Sequence, residues 1–141
     1  MADINLEILT PAKLAYSSNV KSVTVPGTAG SFQVLVNHAP LISTFEIGII
    51  KVEVDNQNIE YFSTSGGTIE VLNNKIRILA DTIESVDELD IQRAKNALER
   101  AKDRLAKKSI EKIDVLRAES ALARANNRIN FYEKYFNLVQ K

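Results

Sequence analysis

All three prolines (Pro11, Pro26, Pro40) and all five glycines lie before residue 68, so the 74 residues after Gly67 contain neither. Glycine and proline are the strongest interrupters of helices and the commonest residues of tight turns. A chain that confines them to one side is expected to divide into a turn-rich part and a helical part. Charge divides in the same place. Up to Ser85 there are five basic and nine acidic residues, a net of −4, and from Val86 onward thirteen basic and nine acidic, a net of +4. The expected organisation is therefore two modules, 1–85 and 86–141.

In the first module, short runs with period-two alternation and β-branched residues recur at close spacing: Ile4 to Leu9, Val20 to Val25, Ser31 to Val36, Gly48 to Val54, Ile59 to Thr64, Thr68 to Leu72 and Lys75 to Ala80. Turn formers separate nearly all of them, among them Thr10-Pro11, Pro26-Gly27, Asp55-Asn56, Ser65-Gly66-Gly67 and Asn73-Asn74. Strands this short and frequent predict a β-sandwich. Gly27-Thr28-Ala29-Gly30 and Ser65-Gly66-Gly67 lack the Gly-Lys-Ser/Thr ending of a phosphate loop and precede no helix, so both read as hairpin turns.

In the second module, Ser85-Val86-Asp87-Glu88 has the spacing of a capping box, which predicts a helix starting there. Ile91, Ala94, Leu98, Ala101 and Leu105 form one apolar stripe. Val115, Ala118, Leu122, Ala125, Ile129, Tyr132 and Phe136 form another. Lys107-Lys108-Ser109 interrupts the phase, and a short connection makes two such helices antiparallel neighbours. The fold class expected is an all-β sandwich followed by an antiparallel two-helix hairpin, with narrow alanine-rich stripes that dock the hairpin only marginally.

The two helical segments also repeat each other at an offset of 24: Leu89-Asp90-Ile91-Gln92-Arg93-Ala94 against Ile113-Asp114-Val115-Leu116-Arg117-Ala118, then Arg100-Ala101 and Arg104 against Arg124-Ala125 and Arg128. Seven residues leave a shift of about 20° on a helix, so Arg93 and Arg100 share a face, while Arg124 and Arg128 are i,i+4 neighbours. Converging guanidiniums suit a polyphosphate, with Asp90 or Glu84 holding the forks or accepting from a base or sugar. The competing reading is solvated arginines in intrahelical pairs with Asp, worth a few tenths of a kcal/mol each, roughly.

Composition narrows the function classes. The formal charge is zero with 45% hydrophobic residues, which argues for a globular chain without a general affinity for polyanions. The absence of cysteine removes disulfides, thiolate zinc sites and cysteine nucleophiles, and a single histidine leaves no His-rich metal or triad chemistry. An enzyme is thereby disfavoured. His38, in the turn Asn37-His38-Ala39-Pro40, reads either as a locally bonded turn residue or as a titrating or interface contact. No apolar run approaches the roughly 18 residues of a membrane helix, and the start, Met1-Ala2-Asp3-Ile4-Asn5, reads as neither signal nor transit peptide. Two alternatives remain at this level: a basic helical nucleic-acid-binding module, although acids interrupt its basic face, and a ligand-binding sandwich, although it has no Trp for stacking.

The order of pieces resembles one family over essentially the whole chain: the epsilon subunit of F-type ATP synthases, called delta in mitochondria. The marks are Val23-Thr24-Val25 before Gly27-Thr28-Ala29-Gly30, Asn37-His38-Ala39-Pro40-Leu41-Ile42, Ser65-Gly66-Gly67 with Glu70-Val71, Ile78-Leu79-Ala80-Asp81, and Leu89-Asp90-x-x-Arg93-Ala94. One departure is Gln33-Val34-Leu35-Val36-Asn37, where the family usually has Gly-Ile-Leu-Pro-Gly or similar. The resemblance implies a noncatalytic central-stalk subunit whose sandwich binds the gamma subunit and rests on the ring of c subunits, at the cytoplasmic face of a bacterial membrane or the stromal face of a thylakoid. Ser31, His38, Ala39 and Pro40 match the loops that face ring and stalk. The hairpin would regulate hydrolysis by reaching the alpha and beta subunits of the head. In some relatives the folded hairpin binds ATP as a regulatory ligand; the matching residues are Glu84, Asp90, Arg93, Ala94, Arg100, Arg124 and Arg128. No metal is implied.

Overall fold

The computed structural model describes residues 3–107 and 112–139, without the side chains of residues 112, 113 and 137–139. Its contacts divide the chain into two compact units, residues 1–85 and 86–141.

The first unit holds ten strands: β1 (Ile4–Leu9), β2 (Leu14–Val20), β3 (Ser22–Val25), β4 (Phe32–Leu35), β5 (Leu41–Phe45), β6 (Gly48–Glu53), β7 (Ile59–Thr64), β8 (Gly67–Leu72), β9 (Lys75–Ala80) and β10 (Ile83–Glu84). They form two five-stranded sheets, ordered β2-β1-β9-β8-β5 and β10-β7-β6-β3-β4. All pairings are antiparallel except β1 with β9. Alternation places Ile4, Leu6 and Ile8 of β1, Ile76 and Ile78 of β9, and Ile50 and Val52 of β6 in a single core with almost no exposure. The sandwich is the one expected, although β2, β5 and β10 were not among the expected strands and two further details are corrected. Val20 to Val25 is not one strand: Val20 ends β2 opposite Ile4, the chain changes sheet at Lys21, and Ser22 begins β3 opposite Leu35. Ser65-Gly66 is not a hairpin turn but the passage from β7 in one sheet to β8 in the other.

That passage is built from polar side chains. Thr64 Oγ1 donates to the Thr82 carbonyl at 2.9 Å and accepts from the Gly66 N–H at 3.2 Å, while Thr82 Oγ1 donates to Ser65 Oγ at 2.8 Å. Residues 81–82 carry the chain back between the same sheets, so each crossing satisfies the other's backbone. Gly67 is required here because a Cβ would overlap the Leu79 carbonyl oxygen. Gly27-Thr28-Ala29-Gly30 is the β3–β4 turn, closed by the Gly30 N–H on the Gly27 carbonyl at 3.0 Å.

The second unit contains α1 (Ile91–Ala106) and α2 (Lys112–Val139), which pack along their small residues. Ala94 and Ala101 of α1 and Ala118 and Ala125 of α2 are buried, and each pair is related by the 24-residue repeat. The five residues between the helices leave room only for an antiparallel neighbour. Lys108 and Ser109 of the expected connection lie outside the described residues. Towards the end of α2 the buried aromatics are Phe131 and Tyr135, with Tyr132 and Phe136 only half-buried. The physical reason is length: α2 has 28 residues and α1 has 16, so the seam with α1 cannot dictate which face α2 buries in its last turns.

Candidate functional site

The helical unit opens differently from the sequence expectation. Residues 86–88 form an isolated turn, with the Leu89 N–H on the Val86 carbonyl at 3.3 Å, and the helix starts at Ile91. Asp90 is the N-cap. Its backbone is extended (φ −88°, ψ 97°), and Oδ1 accepts the Arg93 N–H at 3.0 Å. An ionised carboxylate satisfies a free helix N–H and faces the positive end of the helix dipole, which the Ser85 hydroxyl, five residues earlier, cannot do for this helix. Asp90 is thus held in place by the backbone of Arg93, one of its expected co-ligands.

Roughly three to four turns further on, Arg100 and Arg104 of α1 and Arg124 and Arg128 of α2 line a cleft of about 240 Å³ together with Ala97, Ala101, Ala118 and Ala121. The alanines are why the cleft exists: side chains this short leave a trough between the helices, and the longer arginines form its walls. No acidic residue belongs to this lining. Arg100 and Arg104 are exposed, Arg124 and Arg128 half-buried. Four guanidiniums lining one depression are a donor set of the kind that suits a ligand with several anionic oxygens.

Of the seven expected nucleotide-binding residues, the cleft gathers Arg100, Arg124 and Arg128. Arg93 is exposed in the first turn of α1, seven residues or about 10 Å of helix before Arg100, and Ala94 is buried in the seam. Glu84 belongs to the other unit, in β10 opposite Ser63. Arg104 is an addition, and the signal for it lay in the repeat, which aligns Arg104 with Arg128, and in its i,i+4 spacing from Arg100.

In the sandwich, Ser31 is exposed just before β4, whereas His38, Ala39 and Pro40 follow that strand, so about 13 Å of strand separates the two groups. His38 Nδ1 lies 2.7 Å from the Ala39 carbonyl oxygen. A carbonyl only accepts, so Nδ1 carries the proton in this hydrogen bond. Among the described residues no cluster of His, Cys, Asp or Glu is arranged to hold a metal ion, and no helix is long and apolar enough to cross a membrane.

Comparison with known proteins places these features in a family. Residues 3–86 match the family model described as the ATP synthase delta/epsilon chain β-sandwich domain, and residues 87–133 match its long α-helix domain. The chain belongs to the ATP synthase delta/epsilon family. An ATP synthase epsilon chain of Carboxydothermus hydrogenoformans is 45% identical over 110 residues, covering 77% of this chain and 81% of that one. One from Salinibacter ruber is 40% identical over 114 residues, covering 74% and 76%. The fold is shared with a chain of the Euglena gracilis mitochondrial ATP synthase (TM-score 0.77, 22% identity, 90% of this chain and 79% of that chain). It is also shared with one from the central stalk and c-ring of the Tetrahymena thermophila enzyme (TM-score 0.58, 17% identity, 94% and 96%). As an epsilon chain of an F-type ATP synthase it is a noncatalytic subunit.

Proposed function

We propose that this epsilon chain is a central-stalk subunit that couples ring rotation to the catalytic head and restrains ATP hydrolysis through its helical unit, with ATP as the regulatory ligand. In this reading the sandwich binds the gamma subunit and rests on the c-ring through Ser31 and the His38 to Pro40 turn, on the cytoplasmic side of a proton-translocating membrane. The helical unit, net +4, engages the alpha and beta subunits of the head when it is not packed on itself.

The observation that carries the regulatory reading is the acid-free arginine cleft. Its volume of about 240 Å³ is below the roughly 300–1,000 Å³ of pockets that enclose whole drug-sized ligands, so it suits the polyphosphate and leaves base and ribose outside. Within the helical unit, Asp90 and Arg93 are the residues proposed for that remainder, with Ala94 in the same turn. Because the cleft needs both helices, ATP binds only the packed form. At tenfold excess over Kd such a ligand shifts the equilibrium by about 1.4 kcal/mol, enough to bias the packed and extended forms without locking either.

Calorimetric titration of the full chain with ATP and then ADP, repeated with Arg93→Ala and Arg100→Ala, tests this. The expected result is ATP-selective binding that both substitutions weaken at least tenfold. Absence of binding, or equal binding by the variants, returns the arginines to solvated helix faces.

A further inference from the structure

Asn37, Asn73 and Asn74 are the described non-glycine residues with positive φ, at 65°, 49° and 59°. Asn73-Asn74 is a two-residue turn between the paired residues Leu72 and Lys75, where positive φ at both positions matches the twist of the flanking strands. Asn37 is different. It sits in the crossing from β4 in one sheet to β5 in the other, immediately before His38, at the third position of the turn Leu35–His38, where a left-handed residue is favoured.

The two sites are joined by a reciprocal pair of hydrogen bonds. The Asn37 N–H donates to Asn74 Oδ1 at 2.6 Å, and Asn74 Nδ2 donates to Asn37 Oδ1 at 3.0 Å. The Asn74 carbonyl then accepts the Asn5 N–H at 3.0 Å, which ties the same turn to the second residue of β1. One further bond, from the His38 N–H to the Leu35 carbonyl at 3.2 Å, closes the turn at the end of β4. Three segments far apart in sequence are therefore fastened at one end of the sandwich, and Asn74 is the residue common to two of the links. An amide side chain can make this clasp because it donates and accepts at once and tolerates the left-handed region.

We infer that Asn74 is a positioning residue that, through its clasp on Asn37, fixes the His38-Ala39-Pro40 turn in the shape it presents to the rotor. The inference rests on the reading of that turn as a rotor contact. Without the clasp, Asn37 loses a backbone partner, and what remains within the crossing is the His38 N–H bond to the Leu35 carbonyl and the contact of the His38 ring with the Ala39 carbonyl. Three consecutive residues, two of them exposed, then have to be ordered on binding.

The test uses the full chain and an ATP synthase stripped of this subunit. Asn74→Gly keeps the positive φ and removes the amide; Asn74→Asp keeps the acceptor for the Asn37 N–H, and the Asn37 amide need only turn over to donate to the new carboxylate. Amide exchange at Asn37 is read in the free chain, and affinity is read by rebinding to the stripped complex. Asn74→Gly is expected to speed exchange at Asn37 about tenfold and to weaken rebinding about three- to tenfold, with the melting temperature little changed. Asn74→Asp restores both, and Asn37→Gly added to Asn74→Gly makes neither worse. Unchanged exchange at Asn37 in Asn74→Gly, or faster exchange with full rebinding affinity, overturns the inference. His38→Ala separates it from the contact reading: rebinding weakened by His38→Ala but not by Asn74→Gly removes the clasp's role alone, whereas rebinding unmoved by either removes the rotor contact itself.

Discussion

Tyr16 lies on β2 with its ring edge against Phe62 at 5.3 Å, and partial burial, reinforced by a hydrogen bond to Glu60, pushes its hydroxyl up from 10.0 to about 12. The folded chain therefore keeps the proton where the unfolded chain begins to lose it. The stability this contributes is complete below pH 10 and disappears as pH rises from 10 through 12. Urea midpoints measured across that window are expected to fall steeply, and Tyr16→Phe to flatten the fall. Asp3 behaves in the opposite sense: its hydrogen bond to Lys21 Nζ at 2.8 Å holds the carboxyl below its usual value, so that contribution is present above about pH 4 and fades in acid. Asp90 acts through backbone instead. Asp90→Ala removes the cap on Arg93 and is expected to cost about 1 kcal/mol of helical-unit stability by urea titration of the helical circular dichroism, with Asp90→Asn retaining most of it.

Among the elements, the strands that composition failed to announce are β2, β5 and β10, and all three are sheet edges. An edge strand has a neighbour on one side only and is commonly polar, so the alternation that marks β1, β6 and β9 is diluted: β2 reads Leu-Ala-Tyr-Ser-Ser-Asn-Val, and Ile42 of β5 is 79% exposed. The interior strands and the polar turns between them were legible because the core enforces one face of their alternation and water the other. At the helical end, the seam positions Ala94, Ala101, Ala118 and Ala125 were readable from the heptad steps, while the start of α1 was not. The capping-box spacing pointed to Ser85, whereas the cap is Asp90, five residues further on, where the helical backbone begins. The arginine cleft was half legible: the repeat gave Arg100, Arg124 and Arg128, but which face of each helix meets the other decides that Arg104, and not Arg93, completes the lining. Arg104→Ala is accordingly expected to weaken ATP binding tenfold or more by calorimetry, the loss of one charge-assisted fork being worth about 1.5–3 kcal/mol. Ala101→Leu is expected to separate the helices at a cost of about 1–3 kcal/mol, seen as lower helical stability and loss of ATP binding together.

For the whole molecule, the two units are stabilised by different means. The sandwich has a core of Ile, Val, Leu and Phe supplied entirely by residues 4–83, so it folds on its own contacts. Between its helices the second unit buries Ala94, Ala101, Ala118 and Ala125, which remove little apolar area from water, while its large buried side chains, Phe131 and Tyr135, lie near the end of α2; under the proposed regulation it is this contact between the helices that a ligand worth about 1.4 kcal/mol biases. In the proposed regulation the sandwich is the unit that assembles into the stalk and the helical unit, net +4, is the one that ATP biases. Ending the chain after Glu88 is therefore expected to leave a folded sandwich that still assembles into the complex, while ATP hydrolysis by that complex rises severalfold and loses its dependence on the ATP concentration that packs the arm. The control is decisive because assembly and activity are read on the same sample: retained assembly with unchanged hydrolysis removes the restraining role of the helices, and lost assembly shows that the helices, not the sandwich alone, hold the chain in the stalk.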